Sequence, residues 1–99
     1  GAESIQVLQE QAAWLNKNSG TPITIEGHAD EQGTREYNLA LGARRATAVR
    51  NYLVSQGVGE DRLSIVTYGK ERPLEVCSEE RCWSKNRRSV TVVSGGLGS

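Results

Sequence analysis

The sequence has no long apolar run and no excess of charge of either sign. None of its apolar stretches approaches the roughly 20 residues needed to cross a bilayer, and its start lacks the charged-then-apolar layout of a signal peptide. Its 12 basic residues match its 12 acidic ones, so no general field attracts nucleic acid or an anionic membrane. We therefore expect any charged partner to be recognised locally. Any targeting segment either lies upstream of this sequence or does not exist.

Histidine and cysteine are also scarce. His28 is the only histidine, and the two cysteines, Cys77 and Cys82, lie far from it in the sequence. Two thiolates supply only half of the ligands of a structural zinc site, and a nucleophilic cysteine needs a histidine within reach. We therefore expect no metal, no cofactor and no thiol catalysis. The cysteines form either a short-loop disulfide, which requires an oxidising compartment, or two unrelated thiols in a reducing one.

The sequence does contain a regular alternation of helix and strand patterns. Apolar spacing predicts helices over residues 4–18 and 35–56, and strands over 21–30, 63–68 and 89–93. Thr34 is a predicted N-cap, Gly57 a terminating glycine, and one helical turn is expected near residues 78–83. This order predicts one α+β domain over residues 1–93, with two main helices packed on a small mixed sheet. A flexible Gly/Ser tail is expected over residues 94–99.

Charged and polar residues cluster where the first predicted strand meets the second predicted helix. Asp30 closes the strand, and Asn38 and Arg45 lie about two turns apart on one helix face, with Leu41 between them. This set of groups would bind a zwitterion, because it combines a carboxylate and a guanidinium with an amide and an aliphatic wall. Its ammonium would pair with Asp30 and its carboxylate would take a forked hydrogen bond from Arg45. Alternatively, Asp30 and Arg45 bond one another and staple the strand to the helix.

Two further features near this cluster have competing interpretations. His28 and Asp30 share the outer face of a half-buried strand, and such a pair also occurs in metal sites, so a metal-dependent hydrolase is the enzymatic alternative. The lack of a second histidine favours a structural His28 that forms hydrogen bonds near the pocket. Arg87 and Arg88 precede the last predicted strand. They either line the same pocket or are solvated.

These residues resemble a known family. The segments IEGHADEQGTREYNLALGARRATAVRNYLVSQGV, IVTYGKERP and SKNRRSVTV, in this order, are similar to the OmpA-like peptidoglycan-binding domain and most like its lipoprotein group. The resemblance covers about residues 4–93. It implies a noncatalytic domain that binds the diaminopimelate of the peptidoglycan stem peptide through Asp30 and Arg45, with Asn38 and Leu41 lining the pocket. The other ligand-binding candidates on the matching motifs are His28, Ala29, Arg87 and Arg88.

The resemblance also implies a setting and partners. Members of the lipoprotein group are held on the outer membrane by a lipid on an N-terminal cysteine, which this sequence lacks. They face the periplasm, where a disulfide between Cys77 and Cys82 persists. They also associate with the periplasmic protein TolB of the Tol system, through a surface that overlaps the wall-binding face. The alternatives within the family are the C-terminal domain of an outer-membrane porin or of a flagellar stator subunit.

One feature of the family is missing from this sequence. Its members begin with a further strand, bearing an aromatic residue and an aspartate, and this sequence begins at the helix that follows. Without that strand the sheet keeps an unpaired edge and the pocket loses one wall. We therefore expect the domain either to bind weakly or to take a strand from another copy or from residues 94–99.

Overall fold

The computed structural model describes residues 2–93. The predicted α+β class, with two main helices on a small mixed sheet, is confirmed. The tail predicted over residues 94–99 lies outside the described residues. The helices are α1 (Ala2–Lys17), α2 (Arg35–Ser55) and α3 (Glu80–Asn86), the strands are β1 (Ile23–His28), β2 (Leu63–Gly69) and β3 (Ser89–Val93), and a 3-10 turn spans Glu60–Arg62.

The central strand of the sheet is β1. It pairs in parallel with β2, where Ile23 lies opposite Leu63, and antiparallel with β3, where Gly27 lies opposite Ser89. The parallel pair is connected by α2, which packs across both strands. Because β1 is central, the residues that follow it are surrounded by α2, by the end of β2 and by the segment that leads into β3.

The hydrophobic core lies between the sheet and the two long helices. The C-terminal half of α1 is anchored in this core, whereas Ile5 and Val7 in its N-terminal half are exposed. Arg62 fastens the anchored end of α1 by donating to the carbonyl oxygens of Leu15 and Asn18. Within residues 2–93, every helix is too short or too polar to span a bilayer. The buried residues of the core are Ala12, Leu15, Ile23, Ile25, Ala46, Leu53, Val58 and Leu63.

The predicted ends of α2 are confirmed. The Thr34 hydroxyl accepts a hydrogen bond of 3.1 Å from the backbone N–H of Tyr37, as an N-cap does. At the other end Gly57 has φ +96°, and its N–H donates to the carbonyl oxygen of Val54. Glycine takes this left-handed conformation without a steric penalty, so the helix ends here.

Two glycines allow α2 to approach β1 backbone to backbone. A Cβ atom on Gly27 would lie 1.7 Å from the carbonyl oxygen of Gly42, and one on Gly42 would lie 2.3 Å from the Thr67 hydroxyl. No side chain fits at either position. Asp30 follows Gly27 by three residues, and Arg45 follows Gly42 by three. The glycine contact therefore sets how close these two charged side chains lie.

The structure shifts several predicted boundaries by one to three residues. The strand predicted over residues 21–30 ends at His28, and the helical turn predicted near residues 78–83 is the later helix α3. The half-exposed face predicted for this end of the strand is covered, because the side chains of His28 and Asp30 are both buried. Tyr68 stacks on the His28 ring, and Arg87 covers Asp30.

Within residues 2–93, β3 is an edge strand. The N–H of His28 donates to the carbonyl of Arg88. In an antiparallel pair of strands, successive N–H groups point alternately toward the partner strand and away from it. The N–H of Val90 therefore points toward β1, and that of Thr91 points outward. Thr91→Pro is therefore expected to be as stable as Thr91→Val, because a proline is tolerated where the N–H is unpaired. Val90→Pro is expected to lose about 2 kcal/mol, since it leaves an acceptor in β1 without its donor.

Urea denaturation of the three variants checks this expectation. Thr91→Val is the matched control because it loses the hydroxyl bond to Gln11 but keeps the backbone N–H. Equal losses in Thr91→Pro and Val90→Pro would contradict the assignment of the open edge.

Candidate functional site

The candidate site forms where the chain leaves β1. One oxygen of Asp30 accepts a hydrogen bond of 2.9 Å from the backbone N–H of Gln32, and the other accepts one of 3.0 Å from Nη1 of Arg87. Burial raises the pKa of Asp30, but the hydrogen bonds from Gln32 and Arg87 outweigh burial, so the pKa lies below its ordinary value of 3.8. The carboxylate is therefore charged at neutral pH and held in a defined orientation.

The Asn38 side chain stabilises this turn through hydrogen bonds to its backbone. Its side-chain amide donates to the carbonyl oxygens of Gln32, at 2.6 Å, and Thr34, at 3.0 Å, and the residue is only 1% exposed. Both of its amide hydrogens are used within the protein. Asn38 therefore shapes the turn that presents Asp30, and its predicted contact with a ligand stays a prediction.

The two apolar candidates lie on either side of the turn. Ala29 is buried, and its N–H donates to the carbonyl oxygen of Gly69 at 2.8 Å, which ties the end of β1 to the end of β2. Leu41 is half-buried on α2, one turn before Arg45. A ligand contact with either residue stays a prediction.

Arg45 extends from α2 to the end of β1. Its Nη1 donates to the carbonyl oxygen of His28 at 2.9 Å. Burial and the neighbouring Arg87 guanidinium lower the pKa of Arg45, while Asp30 raises it; an arginine remains charged throughout the accessible pH range. Within residues 2–93, Arg45 forms no direct ion pair with Asp30. The staple between strand and helix is therefore the bond from Arg45 to the His28 carbonyl.

The short helix α3 brings a second guanidinium to Asp30. Arg87 bridges the carboxylates of Asp30 and Glu80, and its hydrogen bonds to Glu80 and Asp30 raise its pKa. Arg88 instead donates to the carbonyl oxygens of Asn86 and Arg72. Of the two adjacent arginines, Arg87 is thus the one that reaches Asp30.

Sequence reasoning missed two residues of α3. Glu80 positions Arg87, and the Trp83 indole N–H donates to the Glu31 carboxylate at 2.8 Å. Hydrogen bonds from Trp83 and Ser78 lower the pKa of Glu31. Residues at positions 80, 83 and 87 have the spacing of one helix face, which is a signal that the sequence contained. The helical turn predicted near residues 78–83 stopped before residue 87, so this shared face was not recognised.

The predicted disulfide between Cys77 and Cys82 is present. It joins the loop before α3 to the first turn of that helix, and Cys82 is buried. The two unrelated thiols that were the alternative are therefore wrong.

His28 belongs to a stack on the outer face of the sheet. Its ring lies 5.5 Å from the Tyr68 ring, and the Arg72 guanidinium lies 3.7 Å from the Tyr68 centroid. The Nε2 atom lies 3.2 Å from the Glu26 carboxylate, and Nδ1 is buried without a partner among the described residues. Within residues 2–93 no group of three or more His, Cys, Asp or Glu side chains is placed to hold a metal ion.

The pKa of His28 predicts how stability depends on pH. Burial lowers this pKa below its ordinary value of 6.5, and the Arg88 and Arg72 charges add to the effect, although the Glu26 hydrogen bond opposes it. Below pH 6.5 the unfolded chain therefore binds a proton that the native protein does not. The free energy of unfolding is expected to fall by up to about 1.4 kcal/mol per pH unit. This loss of stability stops once the pH has fallen below the pKa of His28 in the native protein.

Urea denaturation at neutral pH and at about pH 5.5 measures this loss. His28→Gln is the control because it removes the titrating ring, and its stability should change less over the same interval. Asp30 does not interfere, since its pKa lies below 3.8. An equal pH dependence in both proteins would contradict the prediction.

A groove of about 600 Å³ opens beside this cluster, between α1, α2 and β3. Its walls include Val7 and Val49, and both Arg45 and Arg87 line it. The Ser89 hydroxyl is buried without a hydrogen-bond partner among the described residues. The volume is in the range of small-ligand pockets. Within residues 2–93, the groove runs along the edge strand β3.

Comparison with known proteins identifies the class of domain that has this α+β fold and these paired charges at the end of β1. Residues 2–87 match the OmpA family, and the chain belongs to this family. It is 60% identical over 98 residues to the peptidoglycan-associated lipoprotein of Rhizobium meliloti, covering 99% of this chain and 55% of that protein. It is 58% identical over 94 residues to the protein of the same name from Agrobacterium fabrum, covering 95% of this chain and 53% of that protein.

Solved structures show the same relationship. The crystal structure of the peptidoglycan-associated lipoprotein from Burkholderia pseudomallei matches with a TM-score of 0.86 and 43% identity, covering 90% of this chain and 75% of that chain. The C-terminal domain of Helicobacter pylori MotB matches with a TM-score of 0.87 at 22% identity, covering 99% of this chain and 77% of that chain, and this likeness concerns the fold alone.

The family predicted from the sequence is thereby confirmed. The names of these lipoprotein relatives describe association with peptidoglycan, and none of them describes an enzyme. The chain spans about half the length of the curated relatives that it matches.

Proposed function

We propose that this domain binds the stem peptide of peptidoglycan, without cleaving it, through the zwitterionic end of diaminopimelate. The observation that carries the proposal is the meeting of Asp30, Arg45 and Arg87 at the end of β1. One carboxylate beside two guanidiniums offers one site for an ammonium and one for a carboxylate. The names of the lipoprotein relatives support this assignment.

The hydrogen bonds within the free protein leave donors and acceptors for this ligand. One oxygen of Asp30 accepts from the Gln32 N–H and keeps a second lone pair for a ligand ammonium, whereas the other accepts from Arg87 and, at 3.4 Å, from the Gln32 side-chain amide. Arg45 uses Nη1 for the His28 carbonyl. Its Nε and Nη2 form a fork that matches the two oxygens of a carboxylate.

The proposed setting is the periplasmic face of the outer membrane, to which a lipid anchor on the full-length protein attaches the domain. There the domain would tether the membrane to the cell wall as part of the Tol system. The disulfide between Cys77 and Cys82 supports an oxidising compartment such as the periplasm. The proposed second partner is a TolB-like periplasmic protein. The apolar side chains of Leu74 and Val76, exposed on the loop before α3, support a contact surface beside the wall-binding site.

Titration with free meso-diaminopimelate, followed by backbone amide chemical shifts, tests the ligand class. We expect shifts in the turn from Asp30 to Gly33 and around Arg87. Cadaverine is the matched control because it keeps two ammonium groups on a similar chain and lacks both carboxylates, and it should bind more weakly. Shifts confined to a distant surface would contradict the proposal.

The metal-dependent hydrolase that uses His28 and Asp30 is tested by incubating the protein with muropeptides and a divalent metal. Binding alone leaves the muropeptides intact. Release of a cleavage product would overturn the noncatalytic assignment.

A further inference from the structure

Two buried side chains tie the helix α3 to the loop that precedes it. The helix is seven residues long, well below the roughly 12 residues at which an isolated helix becomes even marginally stable. Its buried residues are Cys82 and Asn86. The disulfide joins Cys82 to Cys77 at the first turn. At the last turn, the Asn86 side chain bonds the backbone of residues 74 and 75.

One face of this helix carries the contacts that hold the turn after β1. The Trp83 indole bonds the Glu31 carboxylate, and the Arg87 guanidinium bonds Asp30. Glu80, in the first turn, holds the other nitrogen of Arg87. The position of α3 therefore sets where the Arg87 guanidinium lies relative to Asp30.

We infer that the Cys77–Cys82 disulfide is a positioning element of the ligand-binding site. In the oxidised protein it holds the first turn of α3, so that Glu80 keeps Arg87 directed at Asp30. When the bridge is reduced, this turn keeps no covalent anchor, and binding of the ligand weakens. The inference rests on the proposed function. It assigns to the disulfide a role in binding as well as in stability.

The reduction has a simple balance. A dithiol reductant supplies two electrons and two protons, the S–S bond becomes two thiols, and the reductant becomes a disulfide. No other group of the protein takes part.

The test compares the affinity for meso-diaminopimelate of the oxidised protein and of the same protein reduced with dithiothreitol. Reduction is expected to weaken binding about tenfold, because Trp83 and Arg87 must then be ordered during binding. The double variant Cys77→Ala/Cys82→Ala should bind like the reduced protein and should not respond to dithiothreitol.

The indole N–H signals of the two tryptophans distinguish a change in the position of α3 from a general loss of stability. The indole N–H signal of Trp83 should move on reduction, because its bond to Glu31 loosens. Trp14 lies on α1 and is the internal reference. Trp83→Phe, which keeps the disulfide but loses the indole N–H, should bind about threefold more weakly in the oxidised state, as expected for the loss of one ordering hydrogen bond.

The outcomes are distinct. Equal affinity of the oxidised and reduced proteins would overturn the inference and leave the proposed function standing. Movement of the Trp14 signal together with that of Trp83 would show that the whole domain unfolds, and the positioning role would then be wrong. If the oxidised protein binds no diaminopimelate, the proposed function and the inference fail together.

Discussion

Arg45→Ala is expected to weaken binding to purified peptidoglycan sacculi by about 2 kcal/mol or more, which is about 30-fold in affinity. The substitution leaves the ligand carboxylate without its forked donor in a half-buried site. Asp30→Ala should cost a similar amount, because the ligand ammonium then has no counter-charge. Pull-down of each variant on sacculi measures the loss.

The chain offers a matched control for this experiment. Arg44 is the exposed neighbour of Arg45 on α2, so Arg44→Ala removes the same charge without touching the site and should bind like the unchanged protein. Arg45→Lys keeps the charge but loses the planar fork, so a clear loss is expected here too. If Arg45→Ala binds as well as Arg44→Ala does, the assignment of the site is wrong.

Stability must be checked in the same variants. Arg45 also donates to the His28 carbonyl, and Asp30 also pairs with Arg87. Thermal unfolding of each variant shows what fraction is folded at the temperature of the binding experiment. Only the loss of affinity in the folded fraction counts toward the proposed site.

Gly27→Ala is expected to destabilise the domain by about 4 kcal/mol or more, the range of the most severe single substitutions. The added methyl group would lie 1.7 Å from the backbone carbonyl oxygen of Gly42. A backbone atom in the middle of a helix cannot move aside as the end of a flexible side chain can. The whole of α2 must therefore shift away from β1, and the core between them opens.

Gly20→Ala is the matched control for this prediction. It makes the same substitution at a glycine with φ +93° and nothing within 4 Å of the added Cβ, so only backbone strain of about 1 kcal/mol is expected. Urea denaturation compares the two variants. Similar stabilities would contradict the close packing of α2 on β1. Any folded fraction of Gly27→Ala should also bind sacculi weakly, because the distance between Asp30 and Arg45 depends on this contact.

The two guanidiniums of the site repel one another. Arg87 lowers the pKa of Arg45, which means that each charge makes the other less favourable. The carboxylates of Asp30 and Glu80 offset this repulsion in the free protein. A ligand carboxylate placed between Arg45 and Arg87 would reduce it further.

Local patterns in the sequence determined the elements of this domain. The Thr34 cap and the Gly57 stop of α2, and the order of helices and strands, depend on contacts within a few residues of the chain, so their signals lie close together in the sequence. The motif around Asp30 and Arg45 also lies within one segment, which is why both residues were predicted for one site.

Only the tertiary structure decided which side chains complete the site. Arg87 rather than Arg88 reaches Asp30, and Trp83 reaches Glu31, across more than 50 residues of sequence. These partnerships depend on the register of β3 against β1 and on where α3 begins. A strand shifted by one residue turns every side chain to the opposite face, so no local pattern can say which of two adjacent arginines faces the carboxylate.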